Sequence, residues 1–159
     1  MERYGSNKKP RILLVEDNEI ILKSYFRSLE EAGFSVVGIS DADNIENLFW
    51  EMKFNIILCD TDNDIGSLDG PDACRNALDK KLISEDVLVI GMSDDSRTNQ
   101  PRWAGIAHHA GFYDKDYSDD NSKDKRKGIG FKVMAHYLNF EKAKPGTSWR
   151  ARMLPKVEY

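Results

Sequence analysis

The chain has 159 residues, 40% of them hydrophobic and 31% charged, with a net charge of −4. That is enough for one domain with a real core, and it excludes a disordered polymer. No apolar run approaches the roughly 20 residues that span a bilayer, and residues 1–10 lack the apolar stretch of a signal peptide, so the expectation is a cytoplasmic protein without membrane insertion.

The charge is unevenly spread. Residues 1–10 carry +2 and residues 141–159 carry +3, which leaves −9 on residues 11–140. An acidic body argues against nucleic acid as a partner. The expected organisation is a flexible N-terminal arm over 1–10, a domain over 11–140 and a basic C-terminal tail over 141–159. In a reducing compartment the two cysteines, Cys59 and Cys74, are expected to be buried thiols. No Cys/His spacing resembles a zinc site, and His108 and His109 are adjacent, so they do not share a helical face.

Ile12–Val15 is a short apolar run ending in Glu16-Asp17. Leu22, Tyr25, Phe26 and Leu29 follow at helical spacing, and Gly33 closes that helix. Ser35–Ile39 is β-branched. Ile45, Leu48, Phe49 and Met52 mark a second helix, for which Asp41 or Asp43 is a candidate cap. Ile56–Cys59 is a buried strand ending in Asp60. The polar stretch 61–70 leads to Pro71, which suits a first helical turn carrying Ala73, Cys74, Ala77 and Leu78.

Val87–Ile90 is the next apolar strand, ending near Ser93. Pro101 is expected to open a helix with Trp103, Ile106, Ala107 and Ala110, and Gly111 to end it. Trp103 belongs either in the core or on an exposed surface. Phe112-Tyr113 is a brief strand before Lys115. A charged loop over 116–127 precedes a last helix marked by Phe131, Met134, Ala135 and Leu138. Strands alternating with helices predict a doubly wound α/β domain: a five-stranded parallel, flavodoxin-like sheet in a (βα)5 arrangement.

Sites in such sheets form at the carboxyl ends of the strands. Glu16-Asp17 and Asp60 end the first and third strands, which are neighbours in the flavodoxin-like order. Clustered carboxylates repel one another, and a hard cation such as Mg²⁺ relieves that repulsion. Ser93 and Lys115 end the fourth and fifth strands. A hydroxyl and an ammonium both suit phosphoryl oxygens.

With these positions, "RILLVEDN" at 11–18 and "IILCD" at 56–60, the chain resembles the CheY-like receiver domains of two-component response regulators. The resemblance spans roughly residues 11–140. It implies that Asp60 accepts a phosphoryl group from a histidine kinase or phosphotransfer protein. It places Glu16, Asp17, Asp60 and the backbone carbonyl of Asp62 at Mg²⁺, Ser93 at the switch hydroxyl, Lys115 at the phosphate, and Phe112 at the aromatic switch. It implies phosphorelay signalling to a downstream protein target through protein–protein contact, with no catalysis beyond the domain's own Mg²⁺-dependent phosphorylation and dephosphorylation. Without a DNA-binding or enzymatic domain after residue 140, a stand-alone regulator is expected.

The chain departs from the family pattern in four places. The stretch "DTDNDIGSLDG" reaches Gly70 two residues late and lacks the usual proline. Asp94 follows Ser93 where a small residue is usual, and could gate access of phosphate to Asp60. Lys115 precedes Asp116 rather than proline. The loop 116–127 is long. A degenerate receiver that signals by binding alone is therefore an alternative. A remoter one is a haloacid-dehalogenase-like phosphatase, since "ILCDTDND" contains D-x-D. In that reading Asp62 would be the general acid/base, but Asp119-Asp120 follows no apolar strand and Glu16-Asp17 has no role.

Overall fold

The computed structural model describes residues 9–94, 96–107, 112–114 and 128–143, leaving aside the side chains at 96, 97, 112–114 and 143. The strands are β1 (Arg11–Val15), β2 (Ser35–Ile39), β3 (Ile56–Asp60), β4 (Leu88–Ser93) and β5 (Phe112–Asp114). They form one parallel sheet in the order β2-β1-β3-β4-β5. The helices are α1 (Glu19–Ala32), α2 (Ile45–Glu51), α3 (Gly70–Asp79), a single turn α4 (Ser96–Asn99) and α5 (Ile129–Ala143).

The near-continuous apolar strands are explained by two cores, one on each face of the sheet. Because successive side chains alternate, Ile12, Leu14, Ile56, Leu58, Ile90 and Met92 face α1 and α5, where they meet Tyr25, Leu29 and Val133. Leu13, Val15, Ile57, Cys59 and Val89 face the other way, onto Ile45, Ala73, Cys74, Ala77 and Trp103. Every residue of β3 and β4 is buried. Cys59 and Cys74 are buried free thiols, as expected. Burial, and then a hydrogen bond with Cys74, push the Cys59 thiol well above its ordinary pKa.

Local chemistry sets where α1 begins and ends. Asn18 Oδ1 accepts from the amides of Ile20 (3.0 Å) and Ile21 (3.2 Å), and Gly33, at φ 109°, closes the helix in the left-handed conformation. Asp41 caps the short 3-10 turn Ala42–Asn44 by accepting from the Asp43 amide. Asp43 caps nothing; its carboxylate reaches a loop more than twenty residues away.

Two helices differ from expectation. The helix predicted to open at Pro101 is a 3-10 turn, Gln100–Trp103, and the α-helical turn α4 precedes it. Ala104 leaves the helical region at ψ 127° and Gly105 adopts φ 77°. Ile106 and Ala107 thereby fold back beside Trp103 in the core. The remainder of the predicted helix, with His108, His109 and Ala110, lies outside the described residues.

On α5 the buried face is Ile129, Val133 and Phe140, whereas Phe131, Ala135 and Leu138 are exposed. Close approach to α1 sets that rotation. The Gly130 amide donates to Ser28 Oγ at 2.9 Å, and a Cβ on Gly130 would run into the Ser28 backbone. No described helix is long and apolar enough to cross a membrane.

Candidate functional site: an acidic cleft at the carboxyl edge of the sheet

β1 and β3 are paired with Val15 opposite Cys59, so the next residues along each strand, Glu16 and Asp60, emerge side by side. Glu16, Asp17 and Asp60 each bring a carboxylate oxygen within 4.8 Å of the others. Glu16 and Asp60 are buried, and Asp17 is half-buried. The three lie in a cleft of about 350 Å³. Asp62, Asp64 and Asp94 also line it, giving six carboxylates among the described lining residues. All the clustered donors are hard anionic oxygens, which suit Mg²⁺ or Ca²⁺ and not a soft metal.

Pairing of Asp60 with Met92 puts Ser93 one residue further along β4, in the same cleft. Ser93 is buried, and its Oγ accepts a 2.6 Å hydrogen bond from Asn99 Nδ2. Asp94, which follows, lines the cleft and is exposed. On β5, Phe112 pairs with Gly91 and Asp114 with Ser93, so the strand ends beside Ser93. The Phe112 side chain and all of Lys115 lie outside the described residues, as do Asp116 and Asp119-Asp120.

The loop between β3 and α3 is held by side chains from distant elements. Thr61 donates to the Met92 carbonyl from both its amide (3.0 Å) and its hydroxyl (2.8 Å). Asn63 Nδ2 donates to the Ser40 carbonyl at 2.9 Å. The Asp64 amide donates to Asp17 Oδ2 at 2.7 Å, which draws the loop over the acidic cluster. The Ser67 and Leu68 amides both donate to Asp43 at 2.8 Å. Those two bonds hold the Asp43 carboxyl below its usual pKa. The Asp62 carboxylate is engaged by Arg102 Nη1 at 2.8 Å, while Arg102 Nη2 reaches Asp69 Oδ2 at 3.0 Å.

Trp103 is fully buried, which places it in the core. Its indole Nε1 donates to Thr61 Oγ1 at 2.8 Å, next to Asp60. The ring lies against Gly91, where a Cβ would sit 2.6 Å from two ring carbons. A glycine in β4 is thus the space into which the tryptophan fits.

The structure therefore brings together Glu16, Asp17, Asp60, Asp62, Ser93 and Asp94, all singled out in the sequence. It adds Asn18, Asp64, Asn99 and Arg102, which the sequence reading passed over. Asn99 and Arg102 fall across a loop and a predicted helix start, and nothing local marks them as partners of a site.

No protein-family model matches the chain, and no curated protein matches it in sequence. Solved structures do match. A CheY-like response regulator receiver domain protein from Methanospirillum hungatei superposes with a TM-score of 0.66 at 22% identity, over 85% of this chain and 98% of that one. The chemotaxis response regulator CheY4 of Vibrio cholerae gives 0.65 at 13% identity, over 82% and 100%. The receiver domain of a sensor histidine kinase from Pseudomonas aeruginosa, with magnesium coordinated in its active-site cleft, gives 0.65 at 19%, over 86% and 100%. The sheet order, the two helical layers and these superpositions agree: the fold of this chain is that of the CheY-like response regulator receiver domains.

Proposed function

We propose that the chain is a phospho-acceptor switch of the two-component type, with Asp60 as the residue phosphorylated. The observation that carries this reading is the convergence of Glu16, Asp17 and Asp60 within 4.8 Å at the ends of β1 and β3. The receiver unit is residues 11–140, preceded by the arm 1–10 and followed by the basic tail 141–159, into whose first three residues α5 runs on, to Ala143. The donor is a histidine kinase or phosphotransfer protein, and the output is contact with a downstream protein.

In the proposed reaction an Asp60 oxygen attacks phosphorus. A new P–O bond forms while the P–N bond to the donor histidine breaks, and the imidazole leaves with that electron pair. Magnesium held by Glu16, Asp17, Asp60 and the Asp62 carbonyl would supply charge neutralisation on the phosphoryl oxygens. Lys115 pairs with the same group, and the Ser93 hydroxyl donates to one of its oxygens. Phe112 follows Ser93 as the aromatic switch. The Asp62 carboxylate is tied to Arg102, which suits a loop anchor better than the proton transfer a phosphatase would need.

A second reading is favoured by one feature. Six carboxylates lining one cleft oppose an incoming phosphoryl group, as a receiver that signals by binding alone would tolerate. Beryllofluoride with Mg²⁺, followed by NMR of the amides around the cleft, separates the two. A phospho-acceptor shows saturable, Mg²⁺-dependent shifts that Asp60→Asn abolishes. A binding-only module shows none.

A further inference from the structure

The β3–α3 loop is connected to Ser93 by an unbroken series of hydrogen bonds. Asn99 Nδ2 donates to Ser93 Oγ at 2.6 Å. Asn99 Oδ1 accepts from Arg102 Nη1 at 3.2 Å. The Arg102 guanidinium then spreads over Asp62 and Asp69, at the two ends of the loop, at 2.8 and 3.0 Å. Ser93 and Asn99 are both largely buried, at the wall of the acidic cleft. Arg102 suits the outer end because a planar fork engages several acceptors at once, which a lysine does not.

We propose that Asn99 and Arg102 form a latch that couples the Ser93 hydroxyl to the β3–α3 loop, so that phosphorylation is read out at residues 62–69. The proposal rests on the phospho-acceptor reading of Asp60. When Ser93 turns toward a phosphoryl group on Asp60, its Oγ leaves the Asn99 amide. Asn99 thereby loses the acceptor of its 2.6 Å bond, and its side chain reorients to find another. Its Oδ1 then leaves Arg102, and the guanidinium loses one of the three acceptors that hold it in place.

The loop carries an exposed isoleucine, Ile65, 54% accessible, between the residues that Arg102 holds. A change in loop order there alters an apolar contact surface on the opposite side of Asp60 from β5. Asn99 is in this sense a positioning residue for Ser93, and Arg102 carries its state outward. The device is a two-state element biased by a local charge event.

Hydrogen exchange on the full chain, with Mg²⁺ and with or without acetyl phosphate, tests this, intact mass being read on the same samples. In wild type, phosphorylation raises exchange across 62–69 by about tenfold. In Asn99→Ala, compared with wild type at equal phosphorylated fraction by intact mass, the loop changes less than about twofold, because the coupling is cut. Arg102→Gln, at a partly exposed position, gives a loop that exchanges fast from the start and ignores phosphorylation. A phosphorylated wild type with an unchanged loop overturns the latch and leaves the phospho-acceptor reading intact. So does a loop that still responds in Asn99→Ala, or one as slow as wild type in Arg102→Gln. Absence of any mass gain in wild type overturns the phospho-acceptor reading and the latch with it.

Discussion

Replacing Asp60 by asparagine should stabilise the metal-free protein while abolishing its stabilisation by Mg²⁺. Asp60 shares its site with Glu16 and Asp17, and their carboxylate oxygens lie within 4.8 Å of one another. Two negative charges at that distance repel by about 3.5 kcal/mol at an effective dielectric of about 20. Solvent reaches the half-buried Asp17, and screening leaves a net relief of roughly 1–2 kcal/mol when one charge is removed. Asparagine keeps the shape of the side chain, so packing beside Cys59 and Met92 is preserved. For a chain of this size the midpoint of thermal unfolding in EDTA should rise by about 2–8 °C.

The metal works in the opposite direction. At a free Mg²⁺ concentration ten times the dissociation constant, a native-state ligand adds about 1.4 kcal/mol. Wild type should gain that increment and Asp60→Asn should not. Thermal unfolding of both proteins in EDTA and across a Mg²⁺ titration gives the four numbers needed. A variant that is less stable than wild type without metal, yet keeps the Mg²⁺ increment, would refute the view that these carboxylates form a strained, cation-seeking cluster.

Three further outcomes are expected. Asp94→Ala should speed both phosphorylation of Asp60 and loss of the phosphate by about fivefold, as acetyl phosphate uptake and phosphate release would show; equal rates in both proteins would leave Asp94 without a gating role. Gly91→Ala should force Trp103 away from β4, cost roughly 1–3 kcal/mol and redshift its emission in a Trp50→Phe, Trp149→Phe background, whereas unchanged emission would contradict the tight fit. Burial lowers the His136 pKa from its ordinary 6.5, so the unfolded chain takes up that proton first as pH falls. The contribution of His136 to stability is therefore complete above 6.5 and is lost as pH drops below it. Unfolding midpoints compared between pH of about 7.5 and 5.5 should fall less in His136→Gln than in wild type.

Much of this was legible in the sequence because the strands carry their own signal. Runs such as Ile56–Cys59 are apolar throughout only when both sheet faces are covered, and the residue that ends each run lies by topology at the carboxyl edge, where the candidate cleft forms. Glu16, Asp17, Asp60 and Ser93 follow from that rule alone. The rotation of α5 did not follow. Phe131 and Leu138 look like core residues at helical spacing, but a glycine contact with Ser28, more than a hundred residues earlier, turns them outward. The β3–α3 loop was equally opaque. It is ordered by Asp43 from the β2–α2 connection and by Arg102 from beyond β4, partners some 24 to 40 residues away. The helix expected after Pro101 failed for a local reason, the left-handed Gly105, whose meaning depends on Trp103 being drawn under Gly91.

The most direct test of the account is intact-mass measurement after incubation with acetyl phosphate and Mg²⁺, with peptide mapping of the modified site. The account predicts one phosphoryl group on wild type, dependent on Mg²⁺ and mapped to Asp60, and none on Asp60→Asn. A variant that is still labelled, or a wild type whose phosphate maps to another residue, would contradict it.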